Sequence, residues 1–396
     1  MGALSKLRPD ARVTHARDLM LQYAERTHIE SSGPSARRYL WTDAFAVCNF
    51  LSLARATKEP RWERLALQLA DRVHQTLGRH RADDPRQGWI SGLPEHEGRA
   101  HPTRAGLRIG KGLPETRAVD LPDPRLEWDR DGQYFHYATR WMHALARLAH
   151  ETGKPEPLAQ AIELAEAMHR GFTVRDPEDG LRMHWKMSID LRRPLVPSMG
   201  QHDPLDGWTT GLELASTARR CAATMDLGGL AEAIRDWREI GSHLAPATTD
   251  PLGIGSLLVS TGYLAQSIAR GEGSDPMELA ALARAAAKSL GLLVDSDALH
   301  QHATHRLPFR ELGLAIGLHA IPKIESALHR RDLNATSRIA IDSALTALQR
   351  HQGMQTEIEE QWIDPTHHAL PSWFQHLDIN SVMLATSLLP TVFLEA

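Results

Sequence analysis

Twelve stretches with a helical repeat of apolar residues, joined by turns and connections of two very different lengths, constrain this chain more than any other feature. The spacing predicts helices over 12–28, 43–57, 60–78, 131–152, 155–172, 207–224, 228–244, 253–270, 276–293, 309–320, 332–350 and 374–389. In 60–78, Trp62, Leu65, Leu69 and Val73 form one apolar stripe; Phe135, Met142, Leu145 and Leu148 do the same in 131–152. Asp43 and Asp131 stand where a helix start favours a carboxylate, and Gly153 and Gly171 stand where helices stop.

Short turns at 58–60, 152–156, 225–229 and 271–276 join antiparallel neighbours. The long connections are 79–130, which is rich in Gly, Pro and mixed charge, and 173–206, 294–308 and 351–373. Within the second, LRMHWKMSIDL alternates as a short β-hairpin would. If helices alternate in direction, the long connections gather at one end, where a rigid scaffold carries its functional loops. An open solenoid is the rival, but its repeats would resemble one another, and these helix pairs share no signature. The expected fold is therefore all-α, an (α/α)6 barrel of six hairpins with long loops and a small β-hairpin on one face. No composition break divides it, so one domain over 1–396 is expected.

Composition serves mainly to exclude. With 42% hydrophobic and 24% charged residues the chain is an ordinary folding sequence. A formal net charge of −4 leaves no basic surplus for nucleic acid. No apolar run reaches the roughly 18 residues of a membrane span, and the N-terminus lacks a signal-peptide pattern, so a cytoplasmic location is expected. Cys48 and Cys221 lie in apolar helical patterns and are expected to be buried free thiols.

The stretches YLWTDAF, EWDRDGQYFHY, MGQHDPLDGW and PSWFQHLD put aromatic and acidic residues at the starts of alternate helices. Together with the twelve helices, over nearly the whole chain, this resembles the six-hairpin glycosidase-like superfamily. The resemblance implies an inner ring of helices around a sugar-sized cavity lined by tryptophans. Members include glycoside hydrolases, unsaturated uronyl hydrolases, polysaccharide lyases and sugar epimerases, so the resemblance does not choose a reaction. Terpene cyclases are related toroids, but DRD at 129–131 is not their DxDD pattern.

Two acidic clusters carry the chemistry on this reading. Glu127, Asp129 and Asp131 crowd a helix start, where like charges and the helix end push carboxyl pKa values apart. His202, Asp203 and Asp206 lead into the helix that holds Trp208. One of Asp129 or Asp131 facing one of Asp203 or Asp206 would supply the two carboxyls of glycosidic hydrolysis. The structural alternatives are plain: helix caps, an Asp-Pro turn and a solvated charge cluster. His136 and Arg140 share a helical face with His143. Trp41 with Asp43, and Trp128, Tyr134, Trp185 and Trp373, offer ring faces and hydrogen bonds suited to a sugar. His184, Lys186, Ser188 and Asp190 fall on one side of the expected strand, and His305 and Arg310 supply a base and a cation before or within the helix at 309–320.

The histidines of HQHATH and DPTHHALPSWFQH raise a metal, but neither stretch has the HExxH arrangement, and no metal or cofactor is expected. Fingerprints of nucleotide sites and of the GxSxG nucleophile are missing. The leading expectation is a glycoside hydrolase acting on a small carbohydrate. The alternatives are a sugar epimerase or isomerase using His136, His184 or His305, and a non-catalytic helical scaffold. Oligomeric state is not legible.

Overall fold

The computed structural model describes residues 8–30, 37–121, 123–176, 178, 180–221, 225–329 and 331–396. Its longer helices are α1 (Pro9–Arg26), α2 (Leu40–Thr57), α3 (Pro60–Leu77), α4 (Phe135–Thr152), α5 (Glu156–Phe172), α6 (Asp203–Arg220) and α7 (Gly228–Ser242). They continue as α8 (Pro251–Arg270), α9 (Pro276–Asp295), α10 (Pro308–Leu318), α11 (Ala320–His329), α12 (Ala335–Gln349), α13 (Met354–Ile363) and α14 (Leu377–Leu388). Each of the twelve expected stretches is helical, and the pairing into hairpins with a few short strands is that of an (α/α)6 architecture. The expected helix end at 222–224 lies outside the described residues.

Two of these longer helices were not expected. α11 buries Ala320, Ile321, Ile324 and Leu328, a stripe too short to stand out, with Pro322 tolerated in its first turn. α13, inside the expected 351–373 insertion, buries Ile358 and Trp362 among mostly polar neighbours. Helix starts also shift. α4 begins at Phe135, so Asp131 lies ahead of it, and Asp206 is inside the first turn of α6 rather than before it. Gly153 does end α4 in a left-handed turn (φ 69°), whereas Gly171 is inside α5. Cys48 is buried, but Cys221, just past the end of α6, is exposed; both are free thiols.

The chain packs as two compact units. One comprises Ala24–Leu51 and Glu59–Leu244. The other comprises the residues up to Tyr23, Ser52–Lys58 and Ala245–Ala396.

In the first unit, α4 is buried around its whole circumference, and packs on α5 and α6. α3 has the expected stripe, with Trp62 stacked on Phe50 at 6.1 Å. The strands β1 (Gln133–Tyr134), β4 (Lys186–Met187) and β5 (Pro194–Val196) form one antiparallel sheet, and β2 (Thr173–Asp176) pairs with β3 (Gly180–Met183) in another. The expected 181–191 segment thus forms short strands rather than one hairpin, β3 pairing back to Thr173–Asp176 and β4 on to Pro194–Val196. At the α3–α4 contact the Trp141 indole donates to His74 Nε2 at 3.1 Å. Burial pulls the His74 pKa down to about 3. Between that value and the ordinary 6.5 the unfolded chain carries a proton that the folded one refuses, so stability falls as pH falls through this window, by up to about 1.4 kcal/mol per pH unit. Urea unfolding at pH 7.5 and 5.0 should show the loss, and His74→Gln, whose amide oxygen still accepts from Trp141, should shrink it.

In the second unit α8 packs on α9, α10 and α11, and α10 also on α13 and α14. α8 is long and apolar enough to cross a membrane by length and composition alone, and 72% of that window is buried inside the structure. It meets α10 almost backbone to backbone. A Cβ on Gly255 would lie 2.1 Å from the Gly313 carbonyl oxygen, and one on Gly317 would lie 2.6 Å from the Gly255 Cα. Gly255→Ala is therefore expected to lower unfolding free energy by about 1–3 kcal/mol, read as a lower urea midpoint.

Candidate active site

Three helix starts of the first unit come together, those of α2, α4 and α6, with the turn between β3 and β4 beside them. The sequence at each start is aromatic or acidic: Tyr39 and Trp41 at α2, Tyr134, His136 and Tyr137 at α4, Asp203 and Asp206 at α6. His136 is at their centre. Its ring is 5.9 Å from that of Trp41, 4.8 Å from Tyr137 and 5.4 Å from Tyr134, and stacks at 13° on Trp185, 6.2 Å away. The hydroxyls of Tyr39 and Tyr137 are 2.5 Å apart. Trp128, 55% exposed, meets Trp185 edge-on at 4.8 Å. Tyr39, His136, Tyr137 and Trp185 are half-buried.

His136 Nδ1 lies 3.7 Å from Asp203 Oδ1. Among the described residues neither His136 Nδ1 nor Asp203 Oδ2 has a hydrogen-bond partner. A side chain at Gly200 would meet the Asp203 carboxyl at 2.5 Å, so glycine there makes room for it. Burial lowers the His136 pKa to about 4, with the Asp206 charge opposing and Arg140 assisting. Burial and then the Asp206 charge drive the Asp203 carboxyl well above the usual range, against a Gly200 hydrogen bond and Arg140. Near neutral pH the imidazole is thus uncharged, and the carboxyl that faces it is biased towards its protonated form. Asp206 is committed differently: Arg140 Nη2 lies 3.1 Å from each of its oxygens, with both side chains buried.

Other residues singled out in the sequence have different surroundings. Asp131 is fully buried; it accepts from Arg108 Nη1 at 2.6 Å and from the backbone N–H groups of Gly110 and Lys111 at 3.0 and 3.3 Å. Asp129 is exposed, at the end of a short 3-10 turn, Leu126–Trp128. Glu127 lies 2.7 Å from the buried Lys186 amine, which also donates to the carbonyls of Glu127 and Arg130. The expected row of four polar residues from 184 to 190 is broken, because β4 ends at Met187 and the buried Ser188 turns to Asp190. His184 is buried, 3.3 Å from the Pro197 carbonyl.

Asp43 reaches back to accept from Tyr39 N at 3.2 Å and pairs with Arg38 at 3.5 Å. His202 is the N-cap residue of α6, without a side-chain cap bond. Trp208 is buried, with the Arg238 guanidinium 5.7 Å from its ring. In the second unit, Arg310 pairs with Asp250 at 2.5 Å, which brings the starts of α8 and α10 together; His305 is exposed, and Trp373 is buried under His368. Among the described residues no group of three or more His, Cys, Asp or Glu is placed to hold a metal ion.

Sequence reasoning missed Tyr39 and Tyr137, whose hydroxyls meet only because α2 and α4 start side by side. It also missed how deep the polar seam between α4 and α6 runs. Below His136–Asp203 and Arg140–Asp206, His143 Nδ1 lies 2.8 Å from Glu213, and Arg147 Nε 3.1 Å from the same carboxylate, all buried. The signal was available in the spacing: 136, 140, 143 and 147 recur on one helical face, opposite 203, 206 and 213.

No protein-family model matches the chain, and no curated protein does. Among solved structures, the cellobiose 2-epimerase from Spirochaeta thermophila DSM 6192 is similar at 12% sequence identity, with a TM-score of 0.48 over 96% of this chain and 98% of that one.

Proposed function

We propose that this protein is a carbohydrate-processing enzyme that moves a proton at a sugar carbon, an epimerase or aldose–ketose isomerase working from the His136–Asp203 pair. The observation that carries this reading is the approach of His136 Nδ1 to Asp203 Oδ1 at 3.7 Å inside a ring of aromatic side chains, where burial favours the neutral imidazole and the protonated carboxyl. In an open-chain aldose the C2–H bond is acidified by the neighbouring carbonyl. His136 takes that proton as Asp203 gives its own to O1, which yields an enediol. A proton returned to C2 on the other face, as O1 gives its proton back to Asp203, gives the epimer, and one returned to C1, as O2 gives its proton to Asp203, gives the ketose. Half-buried Tyr39, Tyr137 and Trp185 offer ring faces and hydroxyl contacts of the kind a sugar uses.

Hydrolysis is less well supported. Of the expected carboxylates, Asp131 and Asp206 are both buried in ion pairs with arginine, and Asp129 is exposed at the end of the Leu126–Trp128 turn. The reading keeps the expected single domain and cytoplasmic location. It is tested by incubating the protein with aldoses in deuterated water and following the products by NMR. Deuterium at C2 or C1 supports it. Cleavage of a glycoside without exchange would replace it with the hydrolase, and no turnover of any sugar would end both.

A further inference from the structure

The turn Gly110–Lys111–Gly112 is held on every side. Arg37 Nε donates to the Gly110 carbonyl at 2.9 Å, and Arg81 donates to the carbonyls of Lys111 and Gly112 at 2.8 and 3.0 Å. Asp131 accepts from the Gly110 and Lys111 N–H groups. Gly110 has φ 90°, and a Cβ there would sit 2.0 Å from the Arg38 carbonyl oxygen, so only glycine fits. Side chains from three separate segments therefore fix the backbone that presents Lys111.

That lysine is half-buried, its amine 5.4 Å from the centre of the Tyr39 ring. Tyr39 lies 5.5 Å from Tyr137, and Tyr137 lies 4.8 Å from His136. The cations around it are already matched: Arg38 with Asp43, Arg81 and Arg108 with Asp131, Arg140 with Asp206, Lys186 with Glu127. Among the described residues Lys111 and Arg37 have no carboxylate partner, and the Arg37 guanidinium packs 3.3 Å from where a Cβ on Gly112 would be. An ammonium carried on a fixed backbone at the aromatic rim, without a carboxylate partner among the described residues, suits an anion that arrives with the ligand.

We propose that Lys111, with Arg37 against the same turn, is the anion-recognising edge of the His136–Asp203 site, and that the substrate is a sugar carrying a phosphate or a carboxylate. This rests on the proton-transfer reading above for the word substrate, but the binding preference stands or falls by itself. Two tyrosine rings separate the cation from the imidazole, so the anionic group is recognised at the end of the sugar remote from the reacting carbon.

Titration calorimetry with glucose, glucose 6-phosphate and glucuronate tests it on the intact protein and on Lys111→Gln. The wild type should bind at least one anionic sugar about 10–100-fold tighter than glucose, a preference that weakens with salt. Lys111→Gln should lose that preference while its affinity for glucose holds, and Lys111→Arg should recover part of it. The phosphate and carboxylate arms separate the two anion types. Equal affinity for glucose and both anionic sugars, no binding of either anionic sugar, or an unchanged preference in Lys111→Gln overturns the proposal. If the anionic sugars bind selectively but no sugar exchanges deuterium, the proton-transfer reading falls and the anion site remains.

Discussion

His136→Gln is expected to lower kcat for sugar proton transfer by about 10²–10⁴-fold while leaving the protein folded. Glutamine fills similar space beside Trp41, Tyr137 and Trp185 but cannot take up a proton. Asp203→Asn should lose kcat comparably, because an amide cannot pass its proton on. The second variant carries a further signature. Burial and the Asp206 charge raise the Asp203 pKa well above the usual carboxyl range, so the wild-type fold resists an ionisation that the unfolded chain makes freely above pH 4. The stability contribution of such a group is present below the unfolded value and declines as pH rises towards the folded one. An asparagine has no such loss, so at pH 7 the variant should unfold at higher urea than the wild type even as it stops turning over. If Asp203→Asn is both inactive and clearly less stable at pH 7, the loss of activity reflects damage to the fold, and the acid role has no support.

Asp131→Ala has the largest expected effect on stability, about 3–5 kcal/mol, because it leaves the buried Arg108 guanidinium without its counter-charge. The same carboxylate also accepts from Gly110, Lys111 and Gly132 N–H groups, so several buried donors lose their acceptor together. Urea unfolding followed by circular dichroism reads the loss. Replacing Arg108 by methionine in the Asp131→Ala background should recover part of it, since the uncompensated charge is then gone. If Asp131→Ala unfolds at the wild-type midpoint, the buried pair does not hold the 79–130 connection in place.

The helical periods were legible because α3, α5 and α7 each bury one face against a neighbour, and that burial imposes a repeat on the sequence. α11 and α13 are ten residues each, too short for a repeat to rise above chance. The acidic clusters were also legible as clusters, but not the partner of each member. Asp131 and Asp203 both precede or begin a helix in an aromatic stretch, yet one is covered by Arg108 and the other faces His136. That difference is set by the 79–130 connection folding back over the start of α4, a long-range event with no local trace. Lys111 and Tyr39 escaped notice for the same reason. One sits in a glycine-rich loop and the other beside a tryptophan that drew attention first, and only the fold brings them together.

The glycine contact between α8 and α10 has a dynamic consequence. Where Gly255 meets Gly313 and Gly317 no side chain separates the two backbones, so at that point the helices have nothing to repack. Their central amides should be among the slowest in the chain to exchange with solvent, while the exposed 297–305 segment that leads into α10 exchanges early. The Asp250–Arg310 ion pair at the head of these two helices is then anchored at a fixed spacing, and local breathing there is confined to the loops that reach it.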